Sequence, residues 1–335
     1  MRCFRQSLTA TTAGTAIALC LSINVSTNGA YAHGIEDLGG QIHKAKKPDT
    51  ASFWEFLTRP AQAAARIEID QHGGYRFIRS DGLADHATGT FPNRGNPNAI
   101  AQQNYQFRVP LNPRKAAQAT ALGHQNFGVA LNGVPFDPLT AEFWNRDRTS
   151  GWNIEAMSGA MNLGLDQNNA HVQPTGGYHY HAMPTGLLER LSAQKSGPVQ
   201  LGWAADGFPL YAPYGFGVDQ PTASYRVRSG TRPSGPGGTY DGTYVQDYEY
   251  APGLGNLDAC NGMTAKTDEY PDGTYLYVLT TTYPFIPRCW SGTPDDSFSR
   301  GPGAGQGGMG PNRQDRPNRM GTRPPPFGSR PPPPR

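Results

Sequence analysis

Apolar and polar positions alternate with a period of two over most of the middle of this chain. Arg66-Ile67-Glu68-Ile69-Asp70 alternates, Gly73-Gly74 follows, and Tyr75-Arg76-Phe77-Ile78-Arg79 alternates again. That is the pattern of a hairpin with one inward face. Tyr105-Gln106-Phe107-Arg108-Val109 repeats it. Phe127 to Leu131, then Asn132-Gly133, then Val134-Pro135-Phe136 predicts strand, tight turn and strand, because an Asn-Gly pair suits the left-handed backbone of a two-residue hairpin loop. Leu201 to Ala205, Asp206-Gly207 and Phe208 to Tyr211 repeat that arrangement. Helical signals are short: Gly186 to Leu191, an aromatic stretch within 139–163, and one turn at Phe53 to Leu57 that Pro60 interrupts. The expected fold is therefore a mainly β single domain, sandwich-like or an irregular barrel, with a few short helices.

One alternation stands apart. Tyr178-His179-Tyr180-His181 places two tyrosines on one face of a strand and two histidines on the other. Two imidazoles two residues apart can converge on one ion, and His171 precedes them by a loop containing Pro174, Gly176 and Gly177 that could return it to the same face. His86 sits in a Gly/Pro/Asn-rich loop of the kind that often carries function. Glu155, within Trp152-Asn153-Ile154-Glu155, reads either as a buried, perturbed carboxylate or as an ordinary surface acid. Asp206 reads either as a group orienting a histidine or as a turn residue. Thr274 to Val278 repeats the Tyr-x-Tyr face, with Leu276 and Val278 where the central stretch has histidines.

Composition divides the chain further. The 335 residues include 42 Gly and 31 Pro with 36% hydrophobic residues, a balance that suggests disorder where it is concentrated. It is concentrated at the C-terminus. Residues 293–335 read as a disordered Gly/Pro/Arg-rich tail, flexible first and then polyproline-like. Its spaced arginines suit an envelope or polyanion contact, or simply solubility. Residues 33–290 hold 20 Lys+Arg against 23 Asp+Glu, so the body is mildly acidic and nucleic acid is not an expected partner.

Residues 1–32 have the build of a signal peptide: Arg2 and Arg5, an apolar run from Ala16 to Ile23, and Ala30-Tyr31-Ala32 as a small-x-small cleavage site. The run is too short for a membrane span, and residues 33–65 then read as a leader segment. Export to the periplasm or beyond follows, and removal of the signal leaves Cys260 and Cys289 as an even pair expected to form a disulfide.

Asp166 to Leu188, together with Phe127–Pro138, Trp203–Gly215 and Leu257–Gly292, resembles the YHYH domain family of exported proteins, and Ser80 to Asn98 resembles the opening of that domain. The resemblance spans residues 66–292 and implies no assigned activity. Members of that family often keep histidines where this chain has Leu276 and Val278, which removes the expectation of a second metal site. It strengthens His86 and His171 as ligands beside His179 and His181. Imidazoles of this number suit Zn²⁺ with an open position, Cu²⁺ being the alternative. Three functions follow as expectations: a metal-dependent hydrolase with Glu155 or Asp206 as general base, a metal-binding protein without turnover, or a binding module for envelope or carbohydrate ligands. Gly-x-Ser-x-Gly, a phosphate loop and His-Glu-x-x-His are all missing from the sequence.

Overall fold

The structure, a computed structural model, describes residues 65–299 apart from 124 and 194. The signal sequence, all but the last residue of the leader segment, and the tail from residue 300 lie outside the described residues.

Strands β1 (Ile67–His72), β2 (Tyr75–Ser80) and β3 (Tyr105–Pro110) form an antiparallel sheet in chain order. The eight-stranded sheet draws on β5 (Gly128–Ala130), β6 (Pro135–Phe136), β7 (Ala170–Val172), β8 (Tyr178–Tyr180), β9 (Gln200–Ala204), β10 (Pro209–Tyr211), β13 (Gly262–Ala265) and β14 (Thr274–Val278). Its order is β13-β14-β10-β9-β5-β6-β8-β7, so the central tyrosine–histidine strand lies one place from an edge. Two small pairs complete the strands: β4 (Thr120–Ala121) with β15 (Cys289–Trp290), and β11 (Tyr225–Val227) with β12 (Tyr248–Tyr250). The one α-helix described, α1, runs over Thr185–Ser192. The fold is mainly β, and the sheets stay open rather than closing into a barrel.

Both expected tight turns form. Gly133 has φ +81°, and a Cβ there would stand 2.1 Å from Ser80 Oγ, so neither the backbone nor the space admits a side chain. Gly207 has φ +92° and a Cβ there would meet the Pro110 carbonyl at 2.5 Å. These two turns thus press the hairpins of the large sheet against the three-stranded one.

The inward faces bury Phe107, Val109, Phe127, Phe136, Tyr178, Tyr180, Leu201, Leu210, Tyr277 and Trp290 in one core. In β14 the tyrosines turn toward Phe208, with ring centroids 5.0 and 6.2 Å away. Leu276 and Val278 fill a second, apolar cluster with Tyr211 and Leu257. Cys260 and Cys289 are bonded, with their Cα atoms 5.1 Å apart. Among the described residues no helix is long and apolar enough to cross a membrane.

Candidate metal centre

Strands β7 and β8 are an antiparallel hairpin in which His171 lies directly opposite His179. The loop between them closes through Gln173 N–H to the Gly177 carbonyl at 2.9 Å and Gly176 N–H to the Gln173 carbonyl at 2.8 Å. Opposed residues of such a pair project to the same face, and His181 joins them two residues further on. His171, His179 and His181 accordingly meet in one cluster whose ligand atoms all lie within 4.8 Å of one another. His179 and His181 are buried, 2% and 1% exposed, while His171 on the edge strand is half-buried.

The hydrogen bonds fix which ring nitrogen carries the proton in two of the three. His171 Nδ1 lies 2.8 Å from the Leu163 carbonyl and His179 Nδ1 lies 3.1 Å from the Gly177 carbonyl. A carbonyl oxygen only accepts, so both Nδ1 atoms donate and each neutral ring presents a lone pair at Nε2. Both lone pairs face His181 Nε2, at 3.0 Å from His171 and 3.1 Å from His179. Burial pushes the pKa of His171 down, which favours its neutral ring.

The spacing of the three nitrogens suits a cation among them. Two metal–imidazole bonds of about 2.0–2.1 Å, meeting between a right angle and the tetrahedral angle, hold their nitrogens about 2.8–3.4 Å apart. Nδ1–H bonded to a backbone carbonyl is also the usual way a metal-binding histidine is oriented.

The tyrosine face is a different environment. Tyr178 and Tyr180 pack edge to face, 5.8 Å between centroids. Tyr178 donates to Asp166 Oδ2 at 2.7 Å. Tyr180 Oη lies 2.6 Å from His86 Nε2 and accepts from Asn132 Nδ2 at 2.9 Å. His86 Nδ1 lies 3.1 Å from the Ala87 carbonyl, so His86 Nε2 is the acceptor of the Tyr180 hydroxyl proton. His86, expected among the ligands, is therefore separated from the three imidazoles by the strand itself.

The two expected bases are engaged elsewhere. Glu155 is 1% exposed and ion-paired to Arg288 Nη2 at 2.6 Å, and burial raises its pKa although Arg288 opposes the shift. Asp206 accepts from Tyr277 Oη at 2.5 Å and Gly292 N–H at 2.9 Å, and its turn also takes Phe208 N–H at 3.4 Å. Burial pushes the Asp206 carboxyl up to about 6. Neither carboxylate bonds to the three imidazoles.

The acid that does stand beside them is Asp137, whose Oδ2 is 3.7 Å from His179 Nε2. Sequence reasoning passed over it. The available signal was Val134-Pro135-Phe136-Asp137, a short alternation that ends in an acid.

The binding-module expectation called for an exposed row of Trp and Tyr. Trp152, Trp203 and Trp290 are buried, Trp144 is half-buried, and among the described residues the large aromatics that are exposed are Tyr214 and Tyr250. An open groove of about 520 Å³ includes Tyr250, Tyr275, Asp258 and Lys115 in its walls. Asp258 there is already bonded to Tyr275 Oη and to the Cys260 and Gly262 N–H groups, and Lys115 lies over the Tyr275 ring.

No curated protein and no solved structure matches the chain. The family model described as YHYH protein matches residues 106–292, which holds all three clustered histidines and Asp137 and leaves out the segment from Arg66 to Tyr105, His86 with it. That match covers more than half of the sequence, and the chain belongs to the YHYH protein family.

Proposed function

We propose that this is an exported protein, periplasmic or extracellular, that binds one divalent metal ion through His171, His179 and His181. The observation that carries the reading is the convergence of three imidazoles on one face of the β7–β8 hairpin, with ligand nitrogens all within 4.8 Å of one another. Zn²⁺ is the ion adopted, with Cu²⁺ as the competitor that imidazole ligands also suit. When bound, such an ion supplies Lewis acidity and a water acidic enough to act near neutral pH. Export is supported by the N-terminal charge and apolar pattern and by the Cys260–Cys289 disulfide.

Metal binding without a claim of turnover is the reading preferred. Hydrolysis with Glu155 or Asp206 as base has less behind it, because Arg288 and Tyr277 already occupy those carboxylates. The glycan-module alternative has less still, given that Trp152, Trp203 and Trp290 are buried. Elemental analysis of the exported protein beside His179→Ala/His181→Ala tests the proposal. About one equivalent of zinc or copper, lost in the double variant, is the expected result. A metal-free parent that also takes up neither ion on titration would refute it.

A further inference from the structure

Strand β2 carries a cation on its inward face. The alternation that buries Ile78 and Ser80 puts Arg76 on the same side. Its neighbours across the sheet are Gln71 in β1 and Val109 in β3, so neither flanking strand sets an acid opposite it. The guanidinium meets the large sheet instead. Its central carbon lies 4.1 Å from the centre of the Trp203 ring in β9. Trp203 is buried there, and Arg76 is half-buried.

A guanidinium stacked on a ring is satisfied on one face, and its N–H edge still needs an acceptor. Among the described residues the Arg76 side chain makes no ion pair and no hydrogen bond, and its Nε is enclosed. The Trp203 indole Nε1, which can only donate, is enclosed without an acceptor as well. Enclosed N–H groups left unbonded cost free energy, and their dipoles add to the positive field of the guanidinium. Burial pushes the Arg76 pKa down, and Tyr270 opposes the shift. The two buried guanidiniums elsewhere are paired, Arg232 with Asp247 and Arg288 with Glu155. Arg76 differs from both.

We propose that Arg76 and Trp203 form an anion-binding site between the two sheets, which takes the carboxylate, sulfate or phosphate group of a ligand on the guanidinium edge. An oxyanion there supplies the planar, two-point acceptor that a guanidinium fork fits. Because the guanidinium lies against an aromatic ring, its fork is oriented before the ligand arrives. The site shares no residue with the three-histidine centre and stands whether or not that centre holds metal.

The test is titration of the exported full-length chain, labelled with nitrogen-15, with acetate, sulfate and inorganic phosphate at an ionic strength held constant by chloride. The Arg76 Nε–H and Trp203 Nε1–H resonances, assigned through Arg76→Lys and Trp203→Phe, report on the site. At least one of the three anions is expected to move both resonances along a saturable curve. The anion that saturates at the lowest concentration identifies the ligand group. Arg76→Lys is expected to weaken that binding about tenfold, read at the Trp203 resonance, since an ammonium offers no fork. Arg76→Met is expected to abolish it, and Arg76→Lys carries the test if Arg76→Met does not fold. Shifts that grow without saturating for all three anions would overturn the proposal. So would saturable binding that the Arg76 variants leave unchanged.

Discussion

His171 and His179 face each other across the β7–β8 ladder, and each gives its Nδ1 proton to a backbone carbonyl, Leu163 for one and Gly177 for the other. The fold therefore aims two Nε2 lone pairs at the same place before any ion arrives. Ligand preorganised in this way should appear as added stability on loading. With Zn²⁺ at about 1,000 times its Kd, the gain is about 4 kcal/mol. Thermal melts of parent, His171→Ala and His86→Ala with and without Zn²⁺ measure it. The parent and His86→Ala should shift upward alike, and His171→Ala should not.

Glu155 and Arg288 form an ion pair whose side chains are 0% and 10% exposed. Removing one partner strands the other charge. Arg288→Met should cost about 3–5 kcal/mol in urea unfolding, and Glu155→Gln in the Arg288→Met background should restore part of the loss. A double-mutant cycle with no coupling would show that the pair is not formed in solution.

Asp206 gives a pH signature of definite sign. Its folded pKa, about 6, lies above that of a free carboxyl, so the native state holds the proton more tightly than the unfolded chain. The associated stability is present in full below about pH 4 and is lost as pH rises through about 6, by about 3 kcal/mol in all. Asp206→Asn keeps a neutral group at every pH. The difference in unfolding free energy between parent and Asp206→Asn should therefore move against the parent between pH 4 and 7, and stay flat above that.

The disulfide closes the segment from Cys260 to Cys289, a sequence separation of 29. Loop-closure entropy of that size is worth about 3–4 kcal/mol. Cys260→Ser/Cys289→Ser, or reduction of the parent, should lower the urea midpoint correspondingly. Because Cys289 follows Arg288, the same change should loosen the ion pair with Glu155, seen as a smaller coupling energy in the cycle above.

Local chemistry made much of this molecule legible in the sequence. Asn132-Gly133 and Asp206-Gly207 announce their turns because Gly133 and Gly207 take a positive φ that few other residues accept. The alternation at 178–181 separates tyrosines from histidines because a strand has two faces. The Pro/Gly loop at 173–177 returns His171 to the histidine face, as a short hairpin connection should. Neighbour relations across the sheet were not legible. Nothing near Phe136 in the sequence says that β6 runs parallel beside β8, so Asp137 stayed hidden. His86 meets Tyr180 across 94 residues, and Arg288 meets Glu155 across 133. Partners that remote are chosen by topology, and a loop histidine or an acid among apolar residues looks the same in sequence with or without them.

Anomalous diffraction at the zinc edge, from crystals of the exported protein grown with Zn²⁺, tests the central claim most directly. A single strong peak among the Nε2 atoms of His171, His179 and His181 is the result predicted. Its absence, with those nitrogens still 3.0 and 3.1 Å apart, would contradict it and leave the histidine cluster as a hydrogen-bonded part of the sheet.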